Sequence, residues 1–371
     1  MGQVTRRAAG AAGCAAALLW FAGLAYAGPL SAAKPAGLSR GGSGMRAQGP
    51  AAADPRCWRA AATVTAGPTP FADATDPKTD RIYVANAGTA SKYQGTVSVI
   101  NGRTNRVIKT IRVGREADSV AVNSATNRIF VTNDISGTVS VISGRTLRVI
   151  ATVRVGANPS DVAVNARTGA AYVTNAVNGT VSVIRGPRYR VTATIGSGSG
   201  PSDIAVNPST GLLYVADRAG NDDNTIAVID PRVKTIIASI PLPGTGDAIA
   251  ADRTTNRIYV TSDIGTSLWV ISGQSNSVTG TIAVGTSPSG VAVLPRTRTV
   301  VVANSGAISD THGTMSVINA RAGTVTSTLR AGRHPDDIAL NWKTRRVYVV
   351  NSGFLGHRRS GTVTVFAPCR A

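Results

Sequence analysis

Short runs of alternating apolar and small polar residues, separated by turn residues, fill the chain from about residue 60 onward. Four such runs follow one another in one stretch: SVAV (119–122), IFVTN (129–133), TVSVI (138–142) and VIATVRV (149–155). They are rich in Val, Ile and Thr and are bounded by Gly, Asn, Pro or Ser, which is typical of β-strands. Helical periodicity is absent from this part of the chain. The pattern predicts units of four antiparallel strands, which we call A, B, C and D.

This unit occurs seven times, and strand B carries its most regular motif. The seven copies are RIYVAN (81–86), RIFVTN (128–133), AAYVTN (170–175), LLYVAD (212–217), RIYVTS (257–262), TVVVAN (299–304) and RVYVVN (346–351). A period of about 40–45 residues that contains several strands is typical of a propeller blade. We therefore predict an all-β, seven-bladed β-propeller of four-stranded antiparallel blades.

Strand C predicts where the core lies. In TVSVI the valines alternate with Thr and Ser, so one side of the strand offers branched apolar groups and the other offers small ones. Both faces of a blade are covered by neighbouring blades, and alternation of large and small side chains fills the gap between stacked sheets. We expect the core between the blades.

The ends of the repeat array predict how the ring closes. The seventh copy supplies strands A, B and C and then ends, whereas ATVTAG (62–67) near the start matches the strand D segment ATVRVG (151–156). The N-terminal strand should therefore complete the last blade and leave no free sheet edge at the junction. In this register Cys57 and Cys369 meet in the last C–D turn. They are either a disulfide or two unrelated free thiols.

The first 56 residues do not follow the repeat. Residues 1–27 contain a basic start, an apolar stretch and an A-x-A cleavage motif, which is typical of a signal peptide. Residues 28–56 are rich in Gly, Ala, Ser and Pro, as in a flexible linker, and the propeller occupies 57–371. We expect export to the periplasm, the cell surface or the medium, with no transmembrane domain after cleavage. An uncleaved membrane anchor is the alternative.

The stretch NRIFVTNDISGTVSVISGRTLRVIATVRVGANPSDVAVN (127–165) resembles the YVTN-repeat (YncE-like) family of seven-bladed β-propellers. The resemblance extends over the whole chain after the linker and departs from the pattern at Asp217, Ser262 and Val301. It implies the propeller fold and an extracytoplasmic location. It does not imply one activity, because folds of this kind host many.

The chain is strongly basic, with 39 Lys and Arg against 19 Asp and Glu, a net charge of +20 and a pI near 11.0. In antiparallel blades the A–B and C–D turns lie on one face of the disk, which we call the bottom face. The D–A turns and B–C loops lie on the other, the top face. Basic residues collect at the bottom, where the only acids are Asp76, Asp80, Asp230 and Asp252, whereas acids predominate at the top.

An arginine-rich face suits bidentate contact with phosphate, sulfate or carboxylate, and such a field attracts polyanions. The predicted polyanion-binding residues are Arg103, Arg106, Arg145, Arg148, Arg185, Arg188, Arg190, Arg321, Arg345 and Arg346. The partner would be nucleic acid, an acidic polysaccharide or another anionic envelope polymer, and anionic lipid headgroups are an equal alternative in an exported protein. The alternative to polyanion binding is a compositional bias toward Arg, which accumulates at turns because these positions tolerate it. A platform for protein partners is a further possibility, and we expect a monomer.

The top face has its own candidate chemistry. His312, His334 and His357 fall there together with Asp310 and Asp337, and imidazole with carboxylate suits a divalent metal or acid–base work. No H-x-x-x-H spacing accompanies them, and solvated loop residues are the alternative. The second function class is therefore a lactonase-like hydrolase, or a metal-dependent activity, at the top-face loops of blades six, seven and one. No catalytic residue is assigned, and no cofactor is predicted beyond such a metal.

Two repeated polar positions have a simpler interpretation. Asp161, Asp203 and Asp337 share a place at the start of strand A, and Asn residues end strand B in most copies. We interpret both sets as side chains that cap local backbone amides in turns.

Overall fold

A computed structural model describes residues 57–89, 91–218, 224–294, 297–307, 310, 312–353 and 360–369. The expected signal peptide (1–27) and linker (28–56) lie outside these residues. In the described part the chain forms 28 strands and no α-helix.

The strands form seven four-stranded antiparallel sheets, each built from consecutive strands except the last. Blade one contains β2 (Pro70–Asp76), β3 (Arg81–Asn86), β4 (Gln94–Asn101) and β5 (Arg106–Arg115). Blade two contains β6 (Ala117–Asn123), β7 (Arg128–Asn133), β8 (Thr138–Ser143) and β9 (Arg148–Arg154). Blade three contains β10 (Pro159–Val164), β11 (Ala171–Asn175), β12 (Thr180–Arg185) and β13 (Arg190–Gly196). Blade four contains β14 (Pro201–Val206), β15 (Leu213–Asp217), β16 (Thr225–Asp230) and β17 (Thr235–Pro241).

The remaining blades follow the same plan. Blade five contains β18 (Gly246–Asp252), β19 (Arg257–Ser262), β20 (Ser267–Ser272) and β21 (Ser277–Ala283). Blade six contains β22 (Pro288–Leu294), β23 (Thr299–Asn304), β24 (Thr314–Asn319) and β25 (Thr324–Arg330). Blade seven contains β26 (Pro335–Asn341), β27 (Arg346–Asn351), β28 (Ser360–Pro368) and β1 (Trp58–Pro68).

The blades form a closed ring. The first strand of each blade contacts the first strands of both neighbours, in the circuit β2, β6, β10, β14, β18, β22, β26 and back to β2. Strand A is therefore innermost and strand D is the outer edge of every blade. The predicted seven-bladed propeller with four antiparallel strands per blade is confirmed.

The hydrophobic core is divided into seven clusters, each of which lies between two neighbouring blades. Between blades one and two, for example, Tyr83 and Val97 pack against Val120, Ile129 and Ile142. The aromatic position of strand B is fully buried, and the tyrosines there are at most 1% exposed. The prediction of a core between the blades is confirmed.

Closure of the ring depends on the pairing of β1 with β28. The two strands run antiparallel with Trp58 opposite Pro368 and Thr65 opposite Thr362. Cys57 and Cys369 form a disulfide with their Cα atoms 5.4 Å apart, and the amide of Cys369 donates to the carbonyl of Cys57 (3.0 Å). The predicted arrangement of three strands plus one, and the predicted disulfide, are both confirmed.

The asparagine that ends strand B ties adjacent blades together. In blade two, Asn133 accepts a 2.9 Å hydrogen bond from the amide of Gly114, at the end of strand D in blade one. Its amide group donates to the hydroxyls of Thr138 (3.1 Å) and Ser140 (3.0 Å) in its own strand C. This buried pairing explains why strand C alternates valine with small hydroxyl residues. The residue does cap backbone, but the cap crosses a blade boundary.

Candidate anion-binding face

The A–B and C–D turns do share one face, because hydrogen bonds between blades join them. Arg257 Nη1, at the A–B turn of blade five, donates to the carbonyl of Ala320 in the C–D turn of blade six (3.0 Å). Ser209 Oγ donates to the carbonyl of Arg253 between the A–B turns of blades four and five (2.6 Å). These contacts define the bottom face.

Eight of the ten predicted polyanion-binding arginines are exposed in or beside the C–D turns. They are Arg103, Arg106, Arg145, Arg148, Arg185, Arg188, Arg190 and Arg321. The turns are shaped by the residue that ends strand C: Asn101 accepts from the amides of Arg103 (2.9 Å) and Thr104 (3.0 Å), and Asn319 accepts from the amide of Arg321 (3.0 Å). The backbone is thus satisfied locally and the arginine side chain is left in solvent.

Arg345 and Arg346 are half-buried and are engaged in ring closure. The Arg345 carbonyl accepts a 2.6 Å hydrogen bond from Trp58 Nε1, and its guanidinium lies 6.0 Å from the centre of the Trp58 ring. Arg346 Nη1 donates to the carbonyl of Gly102 in blade one. The structure therefore assigns these two residues contacts at the junction of blades seven and one, and the candidate surface consists of the other eight.

A cleft of about 370 Å³ opens on the bottom face between blades two and three. We call it the first cleft; its lining includes Arg128, Phe130, Arg185 and Tyr189. Arg128 Nε donates to the Tyr189 hydroxyl (2.9 Å), and the Tyr189 ring packs edge-on against Phe130 with ring centres 6.2 Å apart. The aromatic wall is therefore fixed, while Arg185 is exposed at the opening.

A second cleft, of about 220 Å³, lies at the equivalent place between blades five and six. It is lined by Thr255, Arg257, Tyr259, Arg298, Ala320 and Arg321. Burial raises the pKa of Tyr259, so its hydroxyl keeps its proton near neutral pH. Three guanidinium groups therefore surround a small cavity.

The few acids of the bottom face do not offset this charge at the surface. Asp76 and Asp252 are at most 1% exposed and accept hydrogen bonds from Thr79 (2.7 Å) and Thr255 (2.8 Å) in their own turns. Asp230 is paired with Arg232 at 2.7 Å, and the hydrogen bond from Arg232 lowers the pKa of that carboxyl. The exposed charge of this face is therefore mainly that of its arginines.

Arg128, Arg257 and Arg298 belong to the basic residues of the bottom face, but they are not among the predicted polyanion-binding residues. Arg128 and Arg257 occupy the same place, the first residue of strand B, as do Arg81 and Arg346. Arg81 donates to the carbonyl of Gly144 in the next blade, so the position repeatedly reaches across a blade boundary. Its recurrence in the motif is the signal that would have identified it.

The candidate metal residues of the top face have separate partners. His312 Nδ1 lies 2.8 Å from Arg330 Nη2, and His334 Nδ1 lies 3.2 Å from Asp336 Oδ1, a hydrogen bond that raises the pKa of His334. Asp310 accepts from the amide of Ala307 (2.7 Å). His357 lies outside the described residues. Among the residues that are described, no three or more His, Cys, Asp or Glu side chains are grouped as a metal would require.

The strand A carboxylates near the channel also bridge blades. Asp161 Oδ2, in blade three, accepts from the amide of Ile204 in blade four (2.9 Å), and its other oxygen accepts from Ser119 Oγ in blade two. Burial raises the pKa of Asp161 and, well above the usual range, that of Asp203. The expected cap of backbone amides is present for Asp161, but it again reaches into the next blade.

Comparisons with known proteins agree with this architecture. Residues 213–299 match the family model of the YNCE-like beta-propeller. Among curated proteins no sequence matches the chain significantly. Hydrazine synthase from Kuenenia stuttgartiensis contains a similar chain, with 17% sequence identity, a TM-score of 0.68 and coverage of 81% of this chain and 96% of that chain. At this identity the likeness concerns the fold alone.

The described residues include no helix that is both long and apolar enough to cross a membrane. The strand order, the repeat motif and the family match lead to the same identification. The chain is a seven-bladed β-propeller with a YNCE-like match over residues 213–299.

Proposed function

We propose that this protein is an exported binding propeller that engages an anionic polymer through its arginine-rich bottom face. The observation that carries the proposal is the pair of arginine-lined clefts between blades on that one face, together with the exposed arginines of the C–D turns beside them. A guanidinium group pairs bidentately with phosphate, sulfate or carboxylate, which makes it the preferred side chain for such groups.

A polymer suits this surface better than a single small anion. The exposed arginines and the two clefts are distributed over blades one, two, three, five and six, so contacts are spread around the ring. A chain with regularly repeated negative groups makes many of these contacts at once, and each released counterion adds to the salt dependence. The exposed aromatic side chains needed for reading bases are few, so the recognition is of charge and not of sequence.

Export is supported by two features. The disulfide between Cys57 and Cys369 is of the kind that persists in oxidising compartments. The basic start, apolar stretch and A-x-A motif of residues 1–27 are those of a signal peptide. Outside the cytoplasm, acidic polysaccharides and other anionic envelope polymers are the natural ligands. The top-face hydrolase alternative has no specific support in the described residues.

The test is retention on immobilised heparin, followed by titration with heparin, polyphosphate and DNA at several salt concentrations. The variant Arg145→Gln/Arg188→Gln/Arg321→Gln removes one guanidinium from three separate C–D turns. The control Lys92→Gln/Arg115→Gln/Arg333→Gln removes the same charge from three exposed positions of the top face. We expect the first variant to elute at clearly lower salt with a shallower salt slope, and the control to stay close to wild type. Equal losses in both, or no retention of wild type at low salt, would contradict the proposal.

A further inference from the structure

The outer strand of every blade contains a β-bulge where its register with strand C shifts, and the residue at this bulge is threonine in three blades, isoleucine in three and alanine in one. The bulge residue is the extra residue of strand D at the point where its pairing with strand C shifts. In blade three it is the residue between Val191 and Ala193. In blades three, five and six it is a threonine: Thr192, Thr279 and Thr326. Each threonine hydroxyl donates to a strand C carbonyl, of Val183 (3.2 Å), Val270 (3.1 Å) and Val317 (3.1 Å) respectively.

Blades one, two and four carry isoleucine at this position, and blade seven carries alanine; only in blades one and two do the isoleucines stand on neighbouring outer strands. Ile108 is 45% exposed and Ile150 is 46% exposed, and each follows an exposed valine, Val107 (38%) or Val149 (37%). β5 and β9 are in contact at the rim, so these four side chains lie on adjacent outer strands. We call Val107, Ile108, Val149 and Ile150 the outer-edge patch. Isoleucine cannot make the hydrogen bond to strand C that threonine makes, and it exposes apolar surface. It therefore does not stabilise its own blade.

The charge around the patch indicates what covers it. β5 carries Arg106, Lys109 and Arg112, β9 carries Arg148 and Arg154, and neither strand contains a carboxylate. The occupant is therefore anionic as well as apolar. Addition of a partner strand is disfavoured, because a bulge and charged side chains on an edge strand are the devices that prevent strand pairing.

We propose that the outer-edge patch docks this propeller on an anionic lipid surface. Exposed aliphatic side chains enter the boundary between headgroups and acyl chains, and flanking Arg and Lys pair with lipid phosphates, a combination that gives reversible peripheral binding. The patch lies on the outermost strands of its two blades, where a bilayer can reach it. Arg106 and Arg148 belong to both surfaces, but this inference depends on the apolar side chains of the outer strands, whereas the binding of polymer at the bottom face depends on the arginines alone.

The experiment is co-sedimentation with vesicles of equal parts phosphatidylglycerol and phosphatidylcholine, with pure phosphatidylcholine vesicles in parallel. The test variant is Ile108→Thr/Ile150→Thr, which installs the residue that blades three, five and six already have. The control is Ile237→Thr in blade four, where the isoleucine is 49% exposed but the bulges of both neighbouring blades carry threonine. We expect the test variant to lose about tenfold in partitioning to anionic vesicles, and the control to lose little.

Heparin retention measured on the same samples separates the two proposals. We expect the double isoleucine variant to keep wild-type retention, whereas the triple arginine variant of the C–D turns loses retention. Unchanged vesicle binding in the double variant, or no binding of wild type to anionic vesicles, overturns the lipid proposal. Light scattering provides a further check. A dimer of wild type that is absent from the double variant would also overturn the lipid proposal, because the patch would then bind a second copy of the chain.

Discussion

The main-chain amide of Asp73 in blade one donates a 3.0 Å hydrogen bond to a carboxylate oxygen of Asp337 in blade seven. The Asp73 side chain is 6% exposed, and both its carboxylate oxygens are buried without a hydrogen-bond partner in the described residues. In the pairing of strands A and B, Asp73 lies opposite Val84. The residues equivalent to Asp73 are Ile338 in blade seven and Val162 in blade three. Burial, and then the nearby Asp337, raise the pKa of Asp73 well above its usual range. The pKa of Asp337 is itself raised to about 7, chiefly by burial.

Replacing Asp73 by Ile should stabilise the protein by about 1–3 kcal/mol near pH 8, because it removes a buried carboxyl that has no partner. A carboxyl with a higher pKa in the folded chain holds its proton better when folded. Its contribution therefore favours the folded state at low pH and is lost as pH rises above the unfolded value near 4. We expect the advantage of Asp73→Ile in urea unfolding to grow from pH 5 to pH 8. Asp73→Asn, which also has no titrating group at this position, should gain on wild type by a parallel amount over the same pH range, and a difference from wild type that is independent of pH in both variants would contradict this account.

Removing the disulfide should weaken the folded state substantially. Cys57 and Cys369 are 312 residues apart in sequence, so their bond constrains nearly the whole unfolded chain. The double variant Cys57→Ser/Cys369→Ser should lose about 2–5 kcal/mol in the free energy of unfolding. A reducing agent should lower the stability of wild type by a similar amount and leave the double variant unaffected. Equal sensitivity of both proteins to the reducing agent would show that the bond does not act in this way.

The arginines of the bottom face should separate into two kinds. Both Arg257 and Arg321 are exposed, but Arg257 also donates across the blade boundary to the carbonyl of Ala320, the residue that precedes Arg321 in the C–D turn of blade six. Arg257→Gln should lower the free energy of unfolding by about 1 kcal/mol, while Arg321→Gln should change it by less than about 0.5 kcal/mol. Denaturant unfolding curves measured side by side check this, and the opposite order would contradict it.

The asparagine at the end of strand B should be the most sensitive polar position of each of the five blades that carry it. Asn175 is fully buried, accepts from the amide of Gly156 (2.9 Å) and donates to Ser182 Oγ (3.0 Å). Asn175→Ala leaves that amide and that hydroxyl unpaired, and should lower the free energy of unfolding by about 2–3 kcal/mol. Asn178→Ala, at an exposed position of the same loop, removes only the acceptor for the amide of Ala157 (2.5 Å) and leaves that amide accessible to water, so it should have a smaller effect. Thermal unfolding of the two variants distinguishes them.

The fold was predictable because the repeat carries its turn chemistry and strand pattern in every copy. Closure of the ring was also predictable from the sequence, because segment 62–67 matches the strand D that the seventh copy lacks. This register places Cys57 beside Cys369. The common face of the A–B and C–D turns follows from antiparallel order alone. These features depend on short-range pattern or on a register that one can count along the chain.

Features that arise between blades were not predictable in the same way. The clefts combine the A–B turn of one blade with the C–D turn of the next, as with Arg257 and Ala320, which are 63 residues apart. Arg345 and Arg346 lie at the A–B turn of blade seven, and only the neighbouring Trp58 and the C–D turn of blade one reveal their contacts at the junction. Asp73 escaped notice because strand A of blade one, PFADATD, does not follow the P-S-D pattern of blades three and four, so its register was hidden.

Pairing of β1 with β28 also sets the order in which the molecule can be completed during synthesis. Blades one to six are each made of consecutive strands and can form as soon as their own residues have been synthesised. The seventh cannot, because its outer strand is made first and waits for a partner made some 300 residues later. Until then the apolar flanks of blades one and six have no neighbour, so this interval is when the newly made chain is most exposed to aggregation and proteolysis.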